Sequence, residues 1–223
     1  NCDEAYMSLK EALIHAGVAN DVRVNIRWIK AEELEKYKDN RGLHKYFEGL
    51  DGIIVPGGFD NRGTEGKIKA IQYVREKKIP FLGICLGLQM AVIEFARHVC
   101  QLEDANSMEF DKETVNPVVH YIEGQESLTK KSANMTLGAY ECELAKDSLV
   151  LDLYGNKTIH ERHRHRYEVN PKYLDQYAKK GFRVSGTSTG SGLIEIMELD
   201  RSVHPDRKST RLNSSHVKRS RMP

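Results

Sequence analysis

The stretch Gly83-Ile84-Cys85-Leu86-Gly87 sets a cysteine between two glycines, at the point where an apolar run gives way to a helical pattern. Ile79, Phe81, Leu82 and Ile84 read as a short buried strand, and Leu88, Ala91, Val92, Phe95 and Ala96 recur at helical spacing. A strand that turns sharply into a helix has no room for bulky neighbours. Glycines therefore flank a nucleophile that stands at the strand's carboxyl end. The helix aims its first N–H groups at the sulfur, which predicts a lowered pKa and a thiolate. A lone cysteine is more often a small buried hydrophobe. The order strand, glycine, cysteine, glycine, helix favours the nucleophile.

Working outward, Ile53–Val55 reads as a buried strand that stops at Pro56-Gly57-Gly58, and Thr64–Lys77 as a helix through Ile68, Ile71 and Val74. Strand and helix in alternation predict an α/β fold. This is a doubly wound, mostly parallel sheet with helices on both faces and an added antiparallel strand region. In such sheets the site lies beyond the carboxyl ends of the strands, so Pro56-Gly57-Gly58 and Cys85 can meet. Upstream, Ala5, Leu9, Ala12, Leu13 and Ala16 form a helical stripe expected to stop at Gly17. Val22, Val24, Ile26 and Trp28 alternate as in a strand, and 31–37 reads as a short helix. Downstream, Thr136–Leu144, 182–187 and 193–199 read as strands, and polar 101–135 as long loops over the site.

The 223 residues suit one large domain, and the net charge of +2 misleads about its body. From Arg201 onward there are seven basic residues and one acid, Asp206; the remainder holds 27 basic against 31 acidic residues. The folded part thus gives no reason to expect a nucleic-acid partner. Cys2, Cys85, Cys100 and Cys142 show no metal-like pairing, which suggests a reducing, cytoplasmic setting. No apolar run is long enough to span a bilayer, so no membrane partner is expected. The chain passes from Asn1 almost straight into helix with no preceding strand, which suggests a fragment.

Four motifs occur in order: Pro56-Gly57-Gly58-Phe59, Gly83-Ile84-Cys85-Leu86-Gly87-Leu88-Gln89, 104–110 (DANSMEF) and 161–170 (ERHRHRYEVN). Together they resemble the glutaminase domain of CTP synthases, within the class I (triad) glutamine amidotransferases. The first two mark the class, and the last two are far more specific. The resemblance covers roughly 3–205. It implies a cysteine attack on the side-chain amide of L-glutamine, giving a thioester and ammonia. It assigns the oxyanion hole to the N–H groups of Gly58 and Leu86, and glutamine contacts to Gly58, Leu86, Gln89, Glu109 and Arg166. Arg166 would take the substrate carboxylate and Glu109 its ammonium. Arg62 is offered as a contact for the activator GTP. The family's amidoligase domain, absent here, uses ATP and Mg²⁺ to activate UTP for amination, and the intact enzyme is a homotetramer. No cofactor is implied for the glutaminase domain itself. No metal is expected either, since His163 and His165 show no cysteine or carboxylate cluster at ligand spacing.

Such an enzyme needs a histidine base oriented by a carboxylate. In the family both come from a His-Pro-Glu motif on a strand after the Leu-Ile-Glu-Ile segment. His204-Pro205-Asp206 follows Leu199 too closely, and fits an earlier His-Pro pair of the family instead. Residues 206–216 (DRKSTRLNSSH) are the reading-frame translation of a widely used sequencing-library adapter. The expectation is a domain over 1–205, a non-native solvated tail over 206–223, and impaired catalysis for want of the base. A γ-glutamyl hydrolase-type cysteine hydrolase and a non-catalytic glutamine-binding or regulatory domain are the alternatives.

Overall fold

The aliphatic runs ending at Val55 and Ile84 pair in parallel because a fourteen-residue helix carries the chain from the end of one to the start of the other. The computed structural model describes residues 6–39, 41–59, 61–121, 136–201, 210–213 and 215–216. In chain order the elements are α1 Met7–Ala19, α2 Ala31–Glu35, α3 His44–Phe47, β1 Ile53–Val55, α4 Thr64–Lys77, β2 Phe81–Ile84 and α5 Leu86–His98. Then follow β3 Ala105–Ser107, β4 Asn116–Tyr121, β5 Thr136–Leu144, α6 Leu149–Tyr154, β6 Thr158–His165, β7 Tyr167–Val169 and α7 Leu174–Lys179. The last are β8 Phe182–Ser188, β9 Ile194–Leu199, β10 Thr210–Asn213 and β11 Ser215–His216.

The large sheet runs β1-β2-β10-β9-β8-β5-β6-β11, and β3-β4-β7 form a small second sheet. The fold is α/β, with β1, β2 and β10 parallel to one another. From β10 onward every pairing in the large sheet is antiparallel, so the added region supplies most of its ladder. Helix α5 lies at the centre, buried from Leu86 through Ala96. Phe95 packs its ring 4.9 Å from that of Phe182, tying α5 to the antiparallel part. Across to α4, Arg75 grips the buried Glu94 with Nε 3.0 Å from Oε2 and Nη2 2.8 Å from Oε1.

Several expectations are corrected. Helix α1 runs past Gly17 to Ala19, and the chain turns at Asp21 in the left-handed region, with φ 53°. Gly17 serves close packing instead: a β-carbon there would stand 2.7 Å from the Val22 carbonyl oxygen. The alternating 22–28 forms no strand, since alternation supplies a face but not a neighbour to pair with. The polar stretch after 101 contains β3 and β4; residues 122–135 lie outside the described residues.

The segment from Asp206, expected as a solvated tail, contributes two short strands. Thr210–Asn213 fills the slot between β2 and β9, in register Thr210↔Phe81 to Asn213↔Ile84 on the β2 side. A strand slot asks only for extended backbone with alternating N–H and C=O groups, which most sequences can offer. The position of the slot beside the end of β2 therefore says more than the identity of the residues in it. Cys2, His204, Pro205 and Asp206 lie outside the described residues.

Candidate active site

Cys85 closes β2 and opens α5 with φ 55° and ψ −106°, a conformation unfavourable for a residue with a β-carbon. The strain holds because the flanking packing leaves no alternative. A β-carbon on Gly87 would stand 2.1 Å from the Val55 carbonyl oxygen, so only glycine lets the first turn of α5 press on β1. One on Gly57 would meet the Cys85 β-carbon at 3.3 Å, which brings the Pro56-Gly57-Gly58 loop against Cys85.

Cys85 is a buried thiol whose Sγ lies 3.6 Å from the carbonyl oxygen of Arg164. The expectation of a lowered pKa is corrected: burial pushes the thiol up to about 11, with the charges of Glu109 and Glu168 adding to the rise. The N–H groups of Leu86 and Gly58 do point at the sulfur and oppose the rise, but desolvation outweighs them. These are the two groups expected to form the oxyanion hole, and both reach the Cys85 sulfur.

Gly58, Phe59, Cys85, Gln89, Glu109, His165, Arg166 and Tyr167 line one pocket of about 220 Å³ that opens to solvent. The structure thus brings together the expected Cys85, Gly58, Gln89, Glu109 and Arg166. Gln89 donates from Nε2 to the Tyr167 carbonyl at 3.2 Å, which fixes its amide and fastens α5 to β7. Glu109 follows β3 in a turn where its N–H donates to Ser107 Oγ at 3.1 Å. An acid, Glu109, and a cation, Arg166, lining one small cavity suit an amino-acid zwitterion. Arg62 stands elsewhere, exposed and paired through Nε with Glu32 at 2.7 Å.

Strand β6 builds the remaining wall, its side chains alternating so that Arg162 and Arg164 face solvent while His163 and His165 are buried. Arg164 stacks its guanidinium 5.3 Å from the ring centre of Phe59. The expectation that no carboxylate neighbours these histidines is corrected. Glu195 Oε2 lies 3.0 Å from His163 Nδ1, and Glu168 Oε1 2.8 Å from His165 Nδ1. Sequence reading missed Phe59, His165, Tyr167 and Glu168 as members of the site. The period-two pattern of 161–165 holds the only signal for His165.

Residues 2–221 match the family described as Glutamine amidotransferase class-I. The chain belongs to the class I glutamine amidotransferases. Within that class its likeness is to CTP synthases. It is 52% identical over 222 residues to CTP synthase of Methanococcus maripaludis, and 51% identical over 214 residues to that of Cytophaga hutchinsonii. These alignments cover 96% and 93% of this chain but 41% and 39% of the relatives. The chain therefore spans about two fifths of their length. The solved glutaminase domain of Trypanosoma brucei CTPS, with bound acivicin, is 36% identical with a TM-score of 0.86, over 97% of this chain and 81% of that one. Among the described residues no helix is long and apolar enough to cross a membrane.

Proposed function

We propose that this domain hydrolyses the side-chain amide of L-glutamine through a Cys85 thioester and delivers the ammonia to a synthetase domain that aminates UTP to CTP. Sulfur attacks the amide carbon and the carbonyl oxygen becomes an oxyanion facing the Gly58 and Leu86 N–H groups. The thiol proton goes to the leaving nitrogen, the C–N bond breaks, and ammonia departs. Water then cleaves the thioester to glutamate and restores the thiol. Arg166 takes the substrate carboxylate, Glu109 the ammonium, and Gln89 presents its remaining amide oxygen.

The observation that carries this reading is the convergence of the two backbone donors on the Cys85 sulfur, in a pocket that also holds Glu109 and Arg166. The partner synthetase domain, its ATP and Mg²⁺, the activator GTP and a homotetrameric assembly belong to the same proposal. They rest on the four motifs and on the CTP synthases that the chain resembles. Arg62 remains a proposed GTP contact, outside the Cys85 pocket.

The proposal places the functional residues in 1–205 and takes 206–223 as translated adapter, so hydrolysis by this chain is slow. General acid–base catalysis contributes about 10²–10⁴-fold, and the slot beside β2 is where a native strand would bring the base. Ammonia release from glutamine, measured beside glutamine binding, tests this. We expect binding with slow turnover that Cys85→Ser abolishes. Binding with no turnover and no acyl-enzyme would make this a glutamine-binding module, and turnover unaffected by Cys85→Ser would overturn the assignment.

A further inference from the structure

Behind the Cys85 pocket, β6 and β9 bring two imidazole nitrogens and a carboxylate oxygen together in a buried cluster. His163 Nδ1 faces His165 Nε2 at 2.9 Å and Glu195 Oε2 at 3.0 Å. Strands β8 and β5 intervene between β9 and β6 in the sheet order, so the sheet curls to make this contact. The ligating atoms of His163, His165 and Glu195 all lie within 4.8 Å of one another, and all three residues are buried.

A neutral imidazole nitrogen carries either a proton or a lone pair. If His163 Nδ1 is protonated it can serve one of its two neighbours fully, and its Nε2 is left as a buried lone pair without a partner. If Nδ1 is unprotonated, its lone pair faces the carboxylate of Glu195. His163 Nε2 has no partner in either arrangement, and in the second the Nδ1 lone pair faces a carboxylate oxygen, a contact buried sites normally avoid. One cation at the point of convergence would take the Nδ1 lone pair and the Glu195 oxygen together and replace their repulsion with two bonds.

We propose that His163, His165 and Glu195 bind a single divalent cation of the zinc class, with Glu168 orienting His165. Two imidazoles and a carboxylate are the donor set of zinc-like ions, whereas Mg²⁺ and Ca²⁺ require mainly oxygen. Ligand distances near 2.0–2.1 Å set tetrahedral edges of about 3.3 Å, a few tenths more than the separations found. A small outward shift of the three side chains admits the ion. Glu168 is placed as the carboxylate behind a metal-bound histidine commonly is, in contact with His165 Nδ1 at 2.8 Å though not aligned as a full hydrogen bond.

The charge balance favours the same occupant. Two buried carboxylates, Glu195 and Glu168, lie against the two imidazoles, and Glu161, on the same buried side of β6, accepts from the Tyr154 hydroxyl. A bound ion would pin β6 to β9. The Arg164 carbonyl that meets Cys85 and the Arg166 of the pocket both belong to that pinned stretch.

The test uses the full chain carrying Cys85→Ser, which removes the pocket sulfur as a ligand, treated with chelator and then titrated. Zn²⁺ is followed by calorimetry and melting temperature, and Co²⁺ by its visible absorption. One equivalent should bind and raise the melting temperature. Affinity should fall at least tenfold in His163→Gln or Glu195→Gln, fall about 10–100-fold in Glu168→Gln, and stay unchanged in the exposed His160→Gln. X-ray absorption of the zinc-loaded chain should show two imidazoles with nitrogen or oxygen ligands and no sulfur, a readout that survives if a variant fails to fold. No uptake, equal uptake by His163→Gln and Glu195→Gln, or a spectrum without imidazole overturns the site. These outcomes do not depend on glutamine turnover.

Discussion

The sulfur of Cys85 stands 3.6 Å from the carbonyl oxygen of Arg164, so the strand that leads directly into Arg166 also touches Cys85. A thiol can donate to that carbonyl, whereas a thiolate is repelled by it. Together with burial this stores Cys85 in its protonated form.

The charge of Glu109 helps keep the thiol protonated. Removing it should lower the Cys85 pKa from about 11. In Glu109→Gln, the pH profile of Cys85 alkylation should therefore shift to lower pH than in the parent. The substrate's ammonium should act in the same direction when it neutralises Glu109. An unmoved profile would show that Glu109 and the sulfur are electrostatically separate.

Arg166→Ala should weaken glutamine binding by about 1.5–3 kcal/mol, roughly tenfold to a hundredfold, because a charge-assisted contact to the carboxylate is lost. Binding of glutamine amide derivatives that lack the carboxylate should change little. Calorimetry on both ligands separates loss of the contact from loss of the pocket.

Gly87→Ala should destabilise the domain by at least the 1–3 kcal/mol typical of overpacking, since the new methyl would enter the Val55 carbonyl at 2.1 Å. Gly155→Ala, at a position with open space but a φ of 68°, should cost about 1 kcal/mol through backbone strain alone. Denaturant midpoints of the two variants test the difference.

The elements around the nucleophile were legible because each carries its own local signal: an aliphatic run, a glycine, then helical spacing. Helix Thr64–Lys77 and strands Ile53–Val55 and Phe81–Ile84 follow from those signals. What escaped was set at a distance. The pKa of Cys85 depends on burial under β6, and the neighbour of His163 arrives from Glu195, on a strand three removed in the sheet. The alternating 22–28 looked like a strand, but pairing needs a partner that periodicity does not reveal.

Arg75→Met should cost about 3 kcal/mol, because it strands Glu94, which is 1% exposed. The guanidinium itself keeps 20% exposure, which places the cost toward the low end of the range for buried pairs. Adding Glu94→Leu should recover most of the loss. The contact with Glu94 also raises His98 above its ordinary 6.5, against partial burial. Its contribution is therefore complete below pH 6.5 and is lost as pH rises through the folded value. Melting curves at several pH values, with and without His98→Gln, measure that loss.

Labelling with the glutamine-shaped electrophile diazo-oxo-norleucine, followed by peptide mass mapping, tests the central claim most directly. The account expects modification at Cys85 alone, suppressed by glutamine and absent in Cys85→Ser, while a small general reagent reaches the half-buried Cys100 first. Label on Cys100 or Cys142 from the glutamine analogue, or no protection by glutamine in folded protein, would contradict Cys85 as the nucleophile.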